Sequence, residues 1–278
     1  MIDWIQGEKF KALADFTYSP VMKMEGDYDN LPNTFDTARL KDMNVVYTHT
    51  MYAKQLFEII KELPQKFIII THNSDVNVDD SFSLPNNVIK WFSQNVNVIH
   101  ERIESIPIGL ENDMWFKSTH KKEKMIAKLK EPHKYKNLVY VNHNVATNPA
   151  KRLKPYELLY GAPWATCERG ANGDKFDEYL DNIYNHKFVI CPEGNGIDTH
   201  RIWECLYMGS IPIAERNINN KFYDLLPILT VSNWEDVIKP FLQGWESWSR
   251  GFEWDKRMLT FEYWKNRILN EVKQGGNI

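Results

Sequence analysis

KFVICPEGNGIDTHRIWECLYMGSIPIAE, residues 187–215, runs in the order apolar strand, glycine-containing loop, helix, glycine, apolar strand. That order predicts a β-α-β unit of a parallel sheet. Gly194 and Gly196 allow a tight turn and let backbone come close to a ligand, and Asp198 or Thr199 is suited to cap the helix that follows. A helix start just beyond the carboxyl end of a parallel strand presents unpaired amides and the positive end of a dipole, which is where α/β proteins hold phosphates. At about 100° per residue, Ile202, Cys205 and Leu206 fall on one side of this helix, His200 and Glu204 nearly opposite, and Arg201 a quarter-turn away. The expected division is one packing face and one chemical face. Arg201 suits a diphosphate, and Glu204 suits two ribose hydroxyls, because a carboxylate accepts both hydrogen bonds. On spacing alone, an ordinary amphipathic helix with a surface Arg and Glu fits equally well.

Outward from this run, the first third of the chain alternates strand-like and helix-like stretches: NVVYTH at 44–49, AKQLFEIIKEL at 53–63 and KFIIITHNSD at 66–75. A second cycle follows over 87–112, so a small parallel sheet with helices on its faces is expected there. KNLVYVNHN at 136–144 reads as the first strand of a second sheet, AKRLKPYELLYG as its helix and KFVICPEG as a later buried strand. The Trp-rich tail, WESWSRGFEW and LTFEYWKNRILNEVK, reads as helices whose aromatic stripe packs in a core rather than on a binding surface. The expected organisation is 1–115 as an N-terminal domain, 116–136 as a basic connector, 137–244 as a C-terminal nucleotide-binding domain and 245–278 as the helical tail.

A chain of 278 residues with 43% hydrophobic and 26% charged residues is long for one core and comfortable for two α/β domains. No run approaches the roughly 18–20 apolar residues of a membrane span, and the charged N-terminus lacks a signal peptide's apolar core, so a cytoplasmic protein is expected. Cys167, Cys191 and Cys205 are odd in number and lack zinc spacing, which points to a reduced compartment without a disulfide framework. The net charge of −3 hides a contrast: residues 113–154 hold 11 Lys/Arg against 3 Asp/Glu. Lys121, Lys122, Lys124 and Lys128 in this basic island are candidates to attract an anionic acceptor, against the usual reading of a solvated connector.

The run GNGIDTHRIWECLYMGSIPI strongly resembles the donor-binding motif of exostosin-like glycosyltransferases, and less closely the equivalent segment of fucosyltransferases. ITHNSD at 70–75, IPIGLEN at 106–112 and VNHNVATNPAKR at 141–152 also look like short stand-alone members of that group. The resemblance implies a GT-B fold: two Rossmann-like domains with a cleft between them, the C-terminal helical tail packing across, and a nucleotide sugar, UDP-linked by expectation, on the second domain. Carried over by position, Gly194, Asn195, Gly196, Asp198, Thr199, His200, Arg201 and Glu204 line the donor site, with Arg152 helping to neutralise the diphosphate. Exostosins themselves are larger, membrane-anchored and secretory, so their heparan-type acceptor does not transfer.

The implied chemistry is glycosyl transfer with no cofactor beyond the donor and no metal, since a helix terminus and basic side chains can stabilise a leaving diphosphate. Asp27-Tyr28-Asp29 matches the metal motif of the other large transferase class, but it sits in a polar loop sequence and is discounted. A general base is expected from strand ends of the first domain: His49 after NVVYT, or His72 with Asp75 after KFIII. For each of these, a polar side chain that merely satisfies loop amides is the competing reading. The acceptor is open between a glycan precursor and a hydroxymethylated base in DNA, the latter compatible with a bacteriophage source and with the basic island. The alternative function is a non-catalytic nucleotide-sugar or glycan-binding module of the same fold.

Overall fold

The computed structural model describes residues 2–20, 31–116, 119–132, 135–170 and 175–275. Asp27 and Asp29 lie outside the described residues. The chain divides into two compact units: residues 1–108 with 260–278, and residues 109–259.

The first unit is a five-stranded parallel sheet in the order β1 (Phe16–Thr17), β2 (Met43–His49), β3 (Lys66–His72), β4 (Val88–Ser93), β5 (Ile103–Ser105). Parallel strands covered on both faces read as continuous apolar runs, and Phe67, Ile68, Ile69 and Ile70 are all 0% exposed. Side-chain alternation assigns the covering helices. Phe10 of α1 (Gly7–Lys11) stacks on His72, whereas Phe57 of α2 (Ala53–Ile60) meets Trp91, which pairs with Ile69 on the opposite face. No helix joins β3 to β4 or β4 to β5; these links are irregular chain, so the second βαβ-like cycle expected over 87–112 consists of strands and loops. NVNVIHER offers β-branched and Asn residues in too short a span to sustain helix turns.

The second unit carries α3 (Asp113–Phe116), α4 (Thr119–Leu129), β6 (Asn137–His143), α5 (Pro149–Leu159), β7 (Ala165–Arg169), α6 (Phe176–Asn185), β8 (His186–Ile190), α7 (His200–Met208), β9 (Ile211–Glu215), α8 (Ile218–Lys221), β10 (Leu229–Val231) and α9 (Lys239–Ser249). Its strands are all parallel, in the order β7-β6-β8-β9-β10. The chain starts at β6, steps one way to β7 and then the other way to β8. The order therefore reverses between β6 and β8, and a doubly wound sheet opens a crevice at the carboxyl ends of such a pair. One face packs Val139, Val141, Phe188, Ile190 and Ile213 against Leu159 of α5 and Leu242 of α9. On the other face, Glu168 accepts hydrogen bonds from Tyr140 (2.7 Å), Asn142 (3.1 Å) and Asn182 of α6 (3.1 Å).

The Trp-rich tail is shared out. α9 belongs to the second unit, and α10 (Phe261–Gly275) returns to the first. There it lies on the His72 side, Phe261 edge-on to Phe10 at 5.2 Å and Arg267 paired through two 2.8 Å bonds with Glu104. Trp264 is 2% exposed, as a core aromatic should be, whereas Trp248 is 60% exposed. The expectation of an aromatic stripe packed in a core thus holds for Trp264 and for Trp245, which meets Phe188 of β8 at 5.9 Å, and fails for Trp248 and Phe252. Among the described residues, no helix is long and apolar enough to cross a membrane.

Candidate anion-binding site

Two loops meet at the reversal point of the second sheet. The loop after β6 enters α5 with Asn148 at the N-cap and Pro149 in the first turn, and the loop after β8 enters α7 through Thr199. Both helices start at the carboxyl edge of the sheet, so both direct positive dipole ends there. The loops are laced together: Asn148 Nδ2 donates to the Gly194 carbonyl at 2.7 Å and Arg152 Nε to the Glu193 carbonyl at 2.9 Å. Arg152 Nη1 also holds the Asn144 carbonyl at 3.0 Å. Positive φ occurs at Gly109, Gly161 and Gly209, not at Gly194 or Gly196. Gly194 instead gives the Arg152 side chain room, since a Cβ there would sit 3.0 Å from Arg152 Nη2.

Beneath this loop lies a group of polar atoms without protein partners. Arg201 Nη1, Thr199 Oγ1 and His143 Nδ1 are each buried and make no hydrogen bond. Arg201 lies over the Tyr179 ring at 5.2 Å. Burial, with the Arg201 charge adding to it, lowers the pKa of Arg152. His143 is pushed down to about 4 by burial and by the charges of Arg201 and Arg152, against the pull of the Arg152 carbonyl that faces its Nε2 at 2.8 Å. Burial disfavours the Arg201 charge as well, but Tyr179, Cys191, Glu204 and Cys205 around it together raise its pKa, so Arg201 is held charged beside a histidine kept neutral. Arg152, Arg201 and the first amides of α7 are groups of the kind that hold an anion.

Several sequence-based expectations change here. The N-cap of α7 is Thr199, with no side-chain capping bond, and Asp198 instead accepts from the Trp203 indole at 3.0 and 3.2 Å. Glu204 does not face away from the packed side. It is 8% exposed and accepts a 2.5 Å bond from the Tyr179 hydroxyl, because α6 packs on the helix face opposite Ile202. α7 is therefore buried nearly all round, and its polar end is confined to Thr199, His200 and Arg201. His200 Nδ1 meets the Gly109 carbonyl at 2.8 Å, and Asn195 is exposed at the loop tip. Glu111, not singled out in sequence, stands near His200 and Glu204; burial raises its pKa, Glu204 adding to it while His200 and Lys121 oppose.

The four lysines of the basic island lie on α4 and are engaged within the second unit. Lys124 pairs with Asp177, Lys128 with Asp181 (2.6 Å) and Glu131 (2.9 Å), Lys122 with Asp113, and Lys121 approaches Glu111 at 3.9 Å. Their positive charge is met by the acidic face of α6 and by α3. In the first unit, His49 and His72 are brought side by side as register partners at the carboxyl ends of β2 and β3. Both are buried. His49 stacks on Tyr52 at 6.0 Å, while His72 holds the Pro107 carbonyl at 3.1 Å and Asn73 Oδ1 at 3.0 Å. Asp75 is exposed on the loop that follows.

No protein-family model matches this sequence, and no curated protein sequence matches it. Among solved structures, a glycosyltransferase from Rickettsia africae ESF-5 is remotely similar, at 13% identity and a TM-score of 0.37, covering 84% of this chain and 75% of that one.

Proposed function

We infer that this chain is a GT-B glycosyltransferase that moves a sugar from a nucleoside-diphosphate donor, UDP by preference, to an acceptor hydroxyl. The observation that carries the reading is the buried, unpartnered Arg201 Nη1 and Thr199 Oγ1 beside Arg152 at the start of α7. Unmatched buried donors cost roughly 1–3 kcal/mol each, which a protein retains where a ligand repays it. In the transfer, the bond from the anomeric carbon to the diphosphate oxygen breaks and its electron pair leaves with the nucleotide. A new bond forms to the acceptor oxygen, whose proton passes to a base. Arg201, Arg152 and the α7 amides meet the charge developing on the leaving group, so no metal is needed for that step. His49, His72 and Asp75 remain the base candidates of the first unit, with Glu111 added from the second. The acceptor favoured is a saccharide, since Lys121, Lys122, Lys124 and Lys128 are drawn into ion pairs and lend no free charge to a DNA backbone.

Calorimetry with UDP, followed by turnover of a panel of UDP-sugars in EDTA, tests this reading. Micromolar UDP binding and donor turnover that withstands EDTA are expected. Binding without turnover on any donor would support a non-catalytic module, and activity lost to EDTA and restored by Mn²⁺ would overturn the metal-free step.

A further inference from the structure

Aromatic residues of 245–254 wall a cavity of about 390 Å³ on the second unit, within the usual size range of small-ligand sites. Trp245, Trp248, Phe252 and Trp254 form the wall, Phe252 and Trp254 at 4.3 Å between ring centroids and Trp245 and Trp254 at 6.1 Å. Arg216, Asn220 and Asp224 line the opposite side, and the same three residues continue into a polar recess of about 240 Å³. Asn220 is 3% exposed; its Nδ2 donates to the Glu215 carbonyl at 3.0 Å, which fixes the amide's orientation, and its Oδ1 is buried without a hydrogen bond. The cavity thus offers a guanidinium and a carboxylate on exposed residues and a broad aromatic face, with the Asn220 amide buried behind them.

We propose that this cavity binds a neutral oligosaccharide of hexopyranose units and serves as an acceptor subsite, a role that rests on the glycosyltransferase reading while the binding itself does not. A pyranose has one face of C–H groups and a rim of hydroxyls that both donate and accept. The C–H face lies on Trp248 and Phe252, and the hydroxyls reach Asp224 and Arg216. A quaternary ammonium, which also favours aromatic walls, is disfavoured by Arg216 and by Lys221 in the recess. A nucleobase cannot intercalate between Trp245 and Trp254, whose stacked rings stand too close to admit one. The recess also leads toward the anion site within the same unit: Asn217, which lines it, donates to Glu193 Oε1 at 3.1 Å, one residue before Gly194.

Tryptophan fluorescence and saturation-transfer NMR on the full chain, with cello-, malto- and mannopentaose as probes and UDP as reference ligand, test the proposal. At least one pentasaccharide should bind saturably without any donor present. Trp248→Ala and Asp224→Ala, both at exposed positions, should each weaken that binding tenfold or more and leave UDP affinity unchanged. If no pentasaccharide binds, or if binding is indifferent to both substitutions, the subsite is refuted even where UDP-sugars turn over. Sensitive saccharide binding in a protein that turns over no UDP-sugar would uphold the site and remove the transferase reading instead.

Discussion

Arg201 and Glu204 are one turn apart on α7 and should answer substitution in opposite ways. Arg201 carries a buried nitrogen with no hydrogen-bond partner, so Arg201→Met removes an unmet buried polar group. Thermal stability should hold or rise while UDP affinity falls roughly tenfold to a hundredfold, the worth of about 1.5–3 kcal/mol in a charge-assisted bond. Glu204→Ala strips the acceptor from the buried Tyr179 hydroxyl and should cost about 1–3 kcal/mol of stability, read as a melting temperature several degrees lower. An Arg201→Met variant that melts early and binds UDP normally would make the arginine a structural residue. His143 contributes a pH dependence. Its folded pKa of about 4 lies below the ordinary 6.5, so the unfolded chain binds the extra proton between these values. The stability tied to the neutral ring is complete above pH 6.5 and is lost as pH falls toward 4, amounting to no more than about 3 kcal/mol. Chemical denaturation of His143→Asn at pH 7 and pH 4.5 should show a smaller difference than the parent chain. His186, lowered by burial, acts in the same direction in both proteins and cancels in that comparison.

Among the elements, α7 was the most legible. Its apolar spacing located the helix, and the glycine after it ends the helix as expected, Gly209 adopting φ 84° while the Ser210 amide returns to the Cys205 carbonyl at 2.9 Å. Its two-faced burial was not legible, because a periodic pattern shows which residues are apolar but not that a neighbour such as α6 brings a tyrosine to meet a carboxylate. The ion pairs of α4 were not legible for the same reason: eleven basic residues against three acidic ones over 113–154 show a charge contrast, but not that the acids of α6 fold against it. The loop before α7 offers a test at this scale. Gly194→Ala places a methyl 3.0 Å from Arg152 Nη2, the end of a flexible side chain, so the fold should survive and the guanidinium should move. UDP affinity should drop severalfold with the melting temperature within about two degrees of the parent; an unchanged affinity would take Arg152 out of the site.

For the whole molecule, the two parallel sheets were legible from strand-helix alternation, but their strand orders were not. Nothing in the spacing of NVVYTH and KFIIITH distinguishes the sequential first sheet from the reversing second one, and the reversal is what positions Arg152 beside Arg201. The aromatic stretch over 245–254 was similarly ambiguous, since wall and core use the same side chains. The second unit is one continuous segment with its own hydrophobic cluster and both halves of the anion site. Residues 109–259 expressed alone should therefore fold cooperatively and bind UDP within about threefold of the full chain. Failure to bind, with a native-like circular dichroism spectrum, would show that donor binding draws on the first unit.

The return of α10 to the first sheet has a consequence for how the polypeptide is made. Met43 and Ile89 on that sheet are neighbours of Gly275 at the end of α10, and Glu104, paired with Lys90 of the sheet itself, takes Arg267 as a second partner. None of these late residues exists when the first sheet leaves the ribosome. At about 5–20 residues per second, the 151 residues from 109 to 259 take roughly 8–30 s to translate. Through that interval the earlier sheet lacks its last layer, while the later unit has everything it needs as soon as it emerges. The order of completion thus runs opposite to the order of synthesis.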